Sequence, residues 1–336
     1  MRAIVTLAVL TCCLLSAAVY AEDDAAPTYA ELLGWEPGAK VVIFHADDAG
    51  MSHDANLGVI EALEDGLLTS MSTMMPCSWV SEFAKYCAEN PDIDNGLHLT
   101  LTSEWENYRW GPVAGKFIVP GLVDEEGCLW RSVAKVVENA TPKEVEAEIR
   151  AQIDRAKTMG LPITHLDTHM GTLYATMEFF AVYVKVGKEM QIPIMIPGGH
   201  ATLAEEEYAD MADLFPAIRA VARSVWDSGL PMLDDLFSDT YGWTTFEEKK
   251  ANMIDLLRRL EPGVTQIILH PTRPTEVFEH ISGSGETRLA DLLVMLDEDV
   301  KRTVEEEGII LTTWRELSER RANVGASEPA PGHGKG

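Results

Sequence analysis

The sequence predicts an α/β protein built on a parallel sheet covered by helices. Short apolar runs of strand length alternate with segments of helical periodicity from residue 40 onward. No linker rich in Pro, Gly or Ser splits that region, so a single domain is expected. Acidic and imidazole side chains cluster where the apolar runs end, and ligands of parallel α/β sheets bind outside the carboxyl ends of the strands. The spacing alone leaves open whether the sheet is doubly wound or closed into a barrel.

The first 21 residues stand apart. Arg2 precedes an apolar stretch from Ala3 to about Leu15, too short to span a bilayer comfortably. The small-residue pattern ending in Ala21 then predicts a signal peptide (1–21), cleaved after Ala21, and hence a secreted or periplasmic protein. Residues 22–38 form an N-terminal lead. Val41–Ala46 is the first strand, followed by a helix from Asp54 to Glu64 closed by Gly66. A Ser/Thr/Met run at 69–75, a helix over 80–89 stopped by Pro91 and a strand over Gly96–Thr102 come next. The helix over 142–159 is the best marked: Thr141 caps it, Pro142 takes its first position, Glu144 completes a capping box and Gly160 ends it. Strands recur at Ile163–His169, Pro193–Ile196, Gln266–His270 and Ile309–Thr313. The domain is thus placed at 39–320, and the Pro/Gly-rich residues 321–336 are expected to be a disordered tail. The acidic run Glu205–Asp213 reads as a solvated helix face.

A 336-residue chain that is 46% hydrophobic and 24% charged can bury a sizeable core. Its formal charge of −27 opposes binding to nucleic acid or anionic membranes. Beyond the leader, Cys77, Cys87 and Cys128 are too few for a disulfide scaffold. A Cys77–Cys87 bridge is left open, while Cys87 also continues the apolar helical stripe of Val80, Phe83 and Ala84.

Four strand exits carry the chemistry. "VVIFHADDAG" (41–50) ends in Asp47 and Asp48, and "GLHLTLT" (96–102) carries His98. "ITHLDTH" (163–169) sets His165, Asp167 and His169 on one face at period two, and "QIILHP" delivers His270 just before Pro271. Each feature alone is weak, since paired acids recur at Asp23-Asp24 and Asp234-Asp235, and a histidine after a strand is commonly a hydrogen-bonded structural group. Their coincidence at four exits points to a divalent ion or to proton transfer. One carboxylate and two imidazoles suit a catalytic zinc-like site whose bound water has a pKa of about 7. A second carboxylate beside the ligand suits a general base, and the ion's charge relieves the repulsion between the two acids.

With those residues in view, the sequence resembles the YdjC/ChbG family of carbohydrate deacetylases, relatives of the polysaccharide deacetylases. The resemblance runs in order through "HADDAGMSHDANLGVIEALEDGLLTSMSTMMP", "NPDIDNGLHLTLTSEW", "LVDEEGCLW", "EIRAQIDRAKTMGLPITHLDTH", "IILHP" and "IILTTWREL", covering roughly residues 40 to 318. It implies an irregular TIM-like (β/α) barrel of the polysaccharide deacetylase type. It also implies hydrolysis of N-acetyl groups on amino sugars, often chito-oligosaccharides. Carried over by position, Asp48, His98 and His169 match the ligands of one divalent metal ion, Asp47 the general base and His270 the catalytic acid. His165 and Asp167 share the face of His169 and are expected to orient ligands. The ligand set suits Zn, Mn, Co or Ni, and Mg less readily.

The partner expected is a small-molecule or oligosaccharide substrate, with no nucleic acid, no stable membrane association after cleavage, and a homodimer left open. Trp105 and Trp110 are candidate contacts for sugar faces, and Arg273 is a candidate contact near His270. Two departures from the family stand out: Ala49 replaces the usual phenylalanine, and Met170-Gly171 replace further alternating histidines in the third block. Two other classes remain open. One is a metal-dependent hydrolase of an ester or phosphoester, for which Arg273 is the suggestive residue. The other is a sugar-binding protein that has lost catalysis.

Overall fold

The computed structural model describes residues 26–327; the expected signal peptide lies outside the described residues. Among the described residues, seven parallel strands form one sheet: β1 (Lys40–Ala49), β2 (Ser70–Thr73), β3 (Asn95–Leu99), β4 (Leu166–Thr168), β5 (Asp235–Phe237), β6 (Gly263–Leu269) and β7 (Ile310–Leu311). Their order is β4-β3-β2-β1-β6-β5, with β7 beside β1. Val41, Val42, Ile43 and Phe44 of β1 are all fully buried, as a near-continuous apolar run in a parallel sheet covered on both faces demands. One edge of β1 pairs with β6 from Lys40 to Ala46, while the other meets β7 at Val41 and Val42 and then β2 from His45 onward.

The two ends of the sheet are joined by segment 193–198. Leu166 donates its N–H to the Pro193 carbonyl, Met195 donates to the Leu166 carbonyl, and Gly198 donates to the Leu233 carbonyl. The expected strand at Pro193–Ile196 is therefore reduced to single bridges at Ile194 and Pro197. Pro193 and Pro197 lack N–H groups and cannot continue a ladder. The result is an irregular closed ring, which decides between the two architectures left open by strand spacing. β5 escaped the sequence reading because it is three residues long and begins in the acidic pair Asp234-Asp235. Those acids are buried caps: Asp234 accepts from Tyr29 N and Ala30 N at 2.7 and 3.0 Å, and Asp235 from Leu203 N and Ala204 N at 2.9 and 3.2 Å.

The capping box expected on the helix over 142–159 is present at Pro142–Thr158. The chain end differs from expectation. Residues 321–327 continue the helix Trp314–Ser327, and Arg320 and Arg321 lie over the rings of Trp35 and Trp226 at 3.9 and 4.1 Å. Cys77 and Cys87 are buried free thiols, so no bridge joins them. Among the described residues no helix is long and apolar enough to cross a membrane.

Candidate active site

The end of β1 answers how one strand presents two adjacent carboxylates to one place. Regular pleating would send Asp47 and Asp48 to opposite faces. Between Ala46 and Ala49, however, the register with β2 slips: Ala46 pairs with Met71 and Ala49 with Thr73, so β1 holds one extra residue. Asp48 takes a left-handed backbone, φ 66°, which a non-glycine residue adopts only when its surroundings compel it. This bulge turns both carboxylates into the mouth of the barrel.

Asp48 Oδ1, His98 Nε2 and His169 Nδ1 converge there. The carboxylate oxygen lies 3.5 Å from each ring nitrogen, and the two nitrogens are 3.1 Å apart. Ligands about 2.0–2.1 Å from a tetrahedral ion sit roughly 3.3 Å from one another, so the triangle has the size of a cation site. All three groups are buried, and Asp48 Oδ1 has no hydrogen-bond partner. The other oxygen of Asp48 accepts from Arg288 Nη2 at 2.7 Å. Burial opposes ionisation of Asp48, but Arg288 and then His169 outweigh it and hold the carboxyl well below its usual range. These three residues could hold a metal ion.

Each imidazole is oriented from behind. His98 Nδ1 donates to Asp167 Oδ1 at 2.7 Å, which leaves Nε2 free as a lone-pair donor. His169 Nε2 donates to Glu104, 3.1 to 3.2 Å away, which leaves Nδ1 as the nitrogen facing Asp48 and His98, a lone-pair donor once the ring is neutral. Asp167 also accepts from His45 Nε2 at 2.9 Å, and that nitrogen lies 3.3 Å from Asp47 Oδ1. Burial disfavours a charge on His45, yet Asp167 and Asp47 push its pKa up to about 9, so an imidazolium sits between two carboxylates. His165 lies deeper, stacked on Trp314 with ring centroids 5.1 Å apart, and its Nε2 is 3.6 Å from Asp167. It fits there because residue 96 is glycine: a Cβ at Gly96 would lie 2.4 Å from the His165 ring.

Asp47 faces the same mouth, its Oδ1 without a hydrogen bond and its Oδ2 3.8 Å from His270 Nε2. His270 meets Tyr241 edge-on at 4.8 Å, and its backbone N–H donates to Asp291 Oδ2 at 3.0 Å. Burial, followed by the neighbouring Arg288, pushes its pKa down to about 4, so the ring is neutral. Asp291 is paired in turn with the buried Lys249 at 2.5 Å.

Of the three residues expected to touch substrate, Trp105 lies at the mouth, its ring 5.9 Å from the Arg288 guanidinium. Trp110 is buried and donates its indole N–H to the Thr102 carbonyl, which makes it a packing residue beneath Trp105. Arg273 is turned away from the cluster and pairs with Glu61.

The family model described as YdjC-like protein matches residues 41–306. The chain belongs to the YdjC-like family. Among its relatives are a carbohydrate deacetylase of Thermus thermophilus, 30% identical over 84% of this chain and 95% of its own length, and one of Thermoanaerobacter pseudethanolicus, 25% identical over 82% and 98%. A chitooligosaccharide deacetylase of Proteus mirabilis is 24% identical over 83% and 99%. Among solved structures, a protein of Enterococcus faecalis V583 named for cellobiose-phosphate cleavage has the same fold, with a TM-score of 0.68 at 24% identity over 83% of this chain and 99% of its own. These matches overturn the expected secreted or periplasmic location. The Thermoanaerobacter and Thermus carbohydrate deacetylases align over 98% and 95% of their own lengths with only 82% and 84% of this chain, and the location expectation is withdrawn.

Sequence reasoning missed three groups in this YdjC-like site. His45 stands in the quoted "HADDAG" and Glu104 in "LTSEW", but neither ends a strand: His45 lies inside β1, paired with Ser70 and Ile268, and Glu104 lies on an irregular segment. Arg288 lies on the helix Gly285–Leu296, three residues before Asp291. A signal existed there: two opposite charges at i, i+3 on an otherwise apolar helix face must be buried against something polar.

Proposed function

We propose that this YdjC-like protein is a metal-dependent deacetylase that removes N-acetyl groups from amino sugars, chito-oligosaccharides among them. The observation that carries the reading is the triangle of Asp48 Oδ1, His98 Nε2 and His169 Nδ1, 3.1 to 3.5 Å on a side, with the Asp47 carboxylate beside it, its Oδ1 without a hydrogen bond. Those three residues hold one divalent ion. When bound, that ion polarises the acyl carbonyl and makes hydroxide accessible near neutral pH. Asp47 takes the proton of the attacking water. The resting His270 is neutral, so it accepts this proton through Nε2, 3.8 Å from Asp47 Oδ2, before giving it to the leaving nitrogen as the C–N bond breaks. Trp105 offers its face to a sugar ring. A phosphoester substrate is disfavoured, because Arg273 is already engaged by Glu61.

Removing metal with a chelator and reloading it with Zn, Mn, Co or Ni one at a time tests the reading. Acetate release from N-acetylglucosamine and its short oligomers should vanish on stripping and return on reloading. Release that ignores the chelator, or stoichiometric metal with no acetate, overturns it.

Metal uptake should also release protons. Burial opposes the charge on His169, but Glu104 and Asp48 raise its pKa to about 10, so in the metal-free protein the ring is protonated at pH 7. The ion needs the neutral ring, hence affinity should rise with pH up to about 10 and binding at pH 7 should expel at least about one proton. Calorimetry in buffers of different ionisation enthalpy reads that number, and stoichiometric binding with no release would contradict the ligand set.

A further inference from the structure

Beside the polar site lies a cavity of about 480 Å³ whose lining is almost wholly apolar. Met170, Tyr174, Phe180, Ile196, Phe215 and Leu236 form its walls, so it opens at the carboxyl end of the barrel between β4 and β5. It begins one residue from the candidate ligand His169. Met170 follows that histidine in the chain, and its sulfur accepts from Thr102 Oγ1 at 3.4 Å, two residues before the Glu104 that holds His169. Met170 and Gly171 both have left-handed backbones, φ 52° and 63°. For methionine this conformation is costly, and it turns the side chain to the cavity, which Met170 and Gly171 both line. Among the described residues nothing covers the outer lip: Met170, Met177 and Met211 are 49%, 59% and 45% exposed. An open groove edged by methionines adapts to apolar ligands of varied shape, and its volume is several times what an acetyl group needs.

The rim restricts the occupant. Segment 205–213 carries five carboxylates, of which Glu205 and Glu206 pair with Arg219 and Arg259, so the lip is net negative. Anionic ligands are repelled, and a two-fold contact with a second copy would bring these acids against each other. We infer that the groove receives a neutral apolar aglycone, alkyl or aryl, carried by the amino sugar whose acetyl group lies at the Asp48, His98 and His169 cluster. This rests on the deacetylase reading for the sugar, while the groove itself is tested by binding.

The experiment compares methyl and hexyl N-acetylglucosaminides by calorimetry on the metal-loaded protein and on Met177→Glu/Met211→Glu. Both altered side chains are exposed, and the test is the ratio of the two affinities within each protein. Each methylene buried is worth about fourfold in binding, so even partial burial of the hexyl chain should tighten binding at least about tenfold, with a negative heat-capacity change. The double variant should bring the two glycosides to within about twofold. Equal affinities in the unaltered protein, or a preference that survives the double substitution, overturn the inference. So does a preference that follows an N-hexanoyl chain on the methyl glycoside. A dimer dissociated by the double substitution, with no hexyl preference, assigns the groove to a second copy instead. A hexyl preference without acetate release supports the groove and refutes only the deacetylase reading.

Discussion

Asp48→Ala should leave the protein without stoichiometric metal and lower kcat/KM for acetate release by at least about 10³-fold. The ion's electrostatic contribution to acyl hydrolysis is several kcal/mol, and each 1.36 kcal/mol is a factor of ten. Asp48 supplies the only carboxylate of the 3.1–3.5 Å triangle and, through its other oxygen, the partner of Arg288 at 2.7 Å. The substitution therefore has a second consequence. Arg288 and Asp48 are both buried, and removing one partner of a buried ion pair costs about 3–5 kcal/mol because the other charge is left uncompensated. Thermal unfolding should fall accordingly. Asp48→Asn separates the two effects: its amide oxygen can still accept from Arg288, so it should retain more stability than the alanine variant while remaining poor in metal. Full metal occupancy in either variant, or turnover within tenfold of the unaltered protein, would remove Asp48 from the ligand set.

The strand exits were legible because a buried parallel strand is a short apolar run, and a polar group that ends it has few places to go. His98, His169 and His270 were found that way, and so was the pair at 47 and 48. Their joint orientation was not legible. Period two places Asp47 and Asp48 on opposite faces, and only pairing with β2 reveals the extra residue that brings them together. Glu104, on an irregular segment, and Arg288, on a helix packed behind Asp48, follow from no local pattern, since what they satisfy is a charge nearly 65 or 240 residues away in the chain. The closing of the barrel was hidden for the opposite reason. Segment 193–198 reads as a strand by its apolar residues, but its prolines permit only the isolated bonds that join β4 to the approach to β5. Trp110 shows the limit of composition: a loop tryptophan beside a site looks like a sugar platform until its N–H is found on the Thr102 carbonyl.

Asp47→Asn should fold, bind metal and turn over about 10²–10⁴-fold more slowly, the usual range for loss of a positioned acid or base. The amide keeps the shape of the carboxylate, and Asp47 Oδ1 has no hydrogen bond to lose. The nearby His45 and His98 nitrogens, 3.3 and 3.7 Å away, lose an ion-pair neighbour but keep Asp167. KM should stay within about threefold, because the change acts on the proton carried away from water and leaves ground-state contacts in place. His270 supplies the sharper test. With Nε2 3.8 Å from Asp47 Oδ2 and a pKa held near 4, it has no proton to donate until Asp47 passes one on. Residues that move one proton in sequence act as a unit, so Asp47→Asn/His270→Ala should be scarcely slower than the worse single variant. Multiplicative losses in that double variant would mean that the two residues serve separate steps. A single Asp47→Asn enzyme with metal bound and turnover within tenfold would show that another group takes the proton.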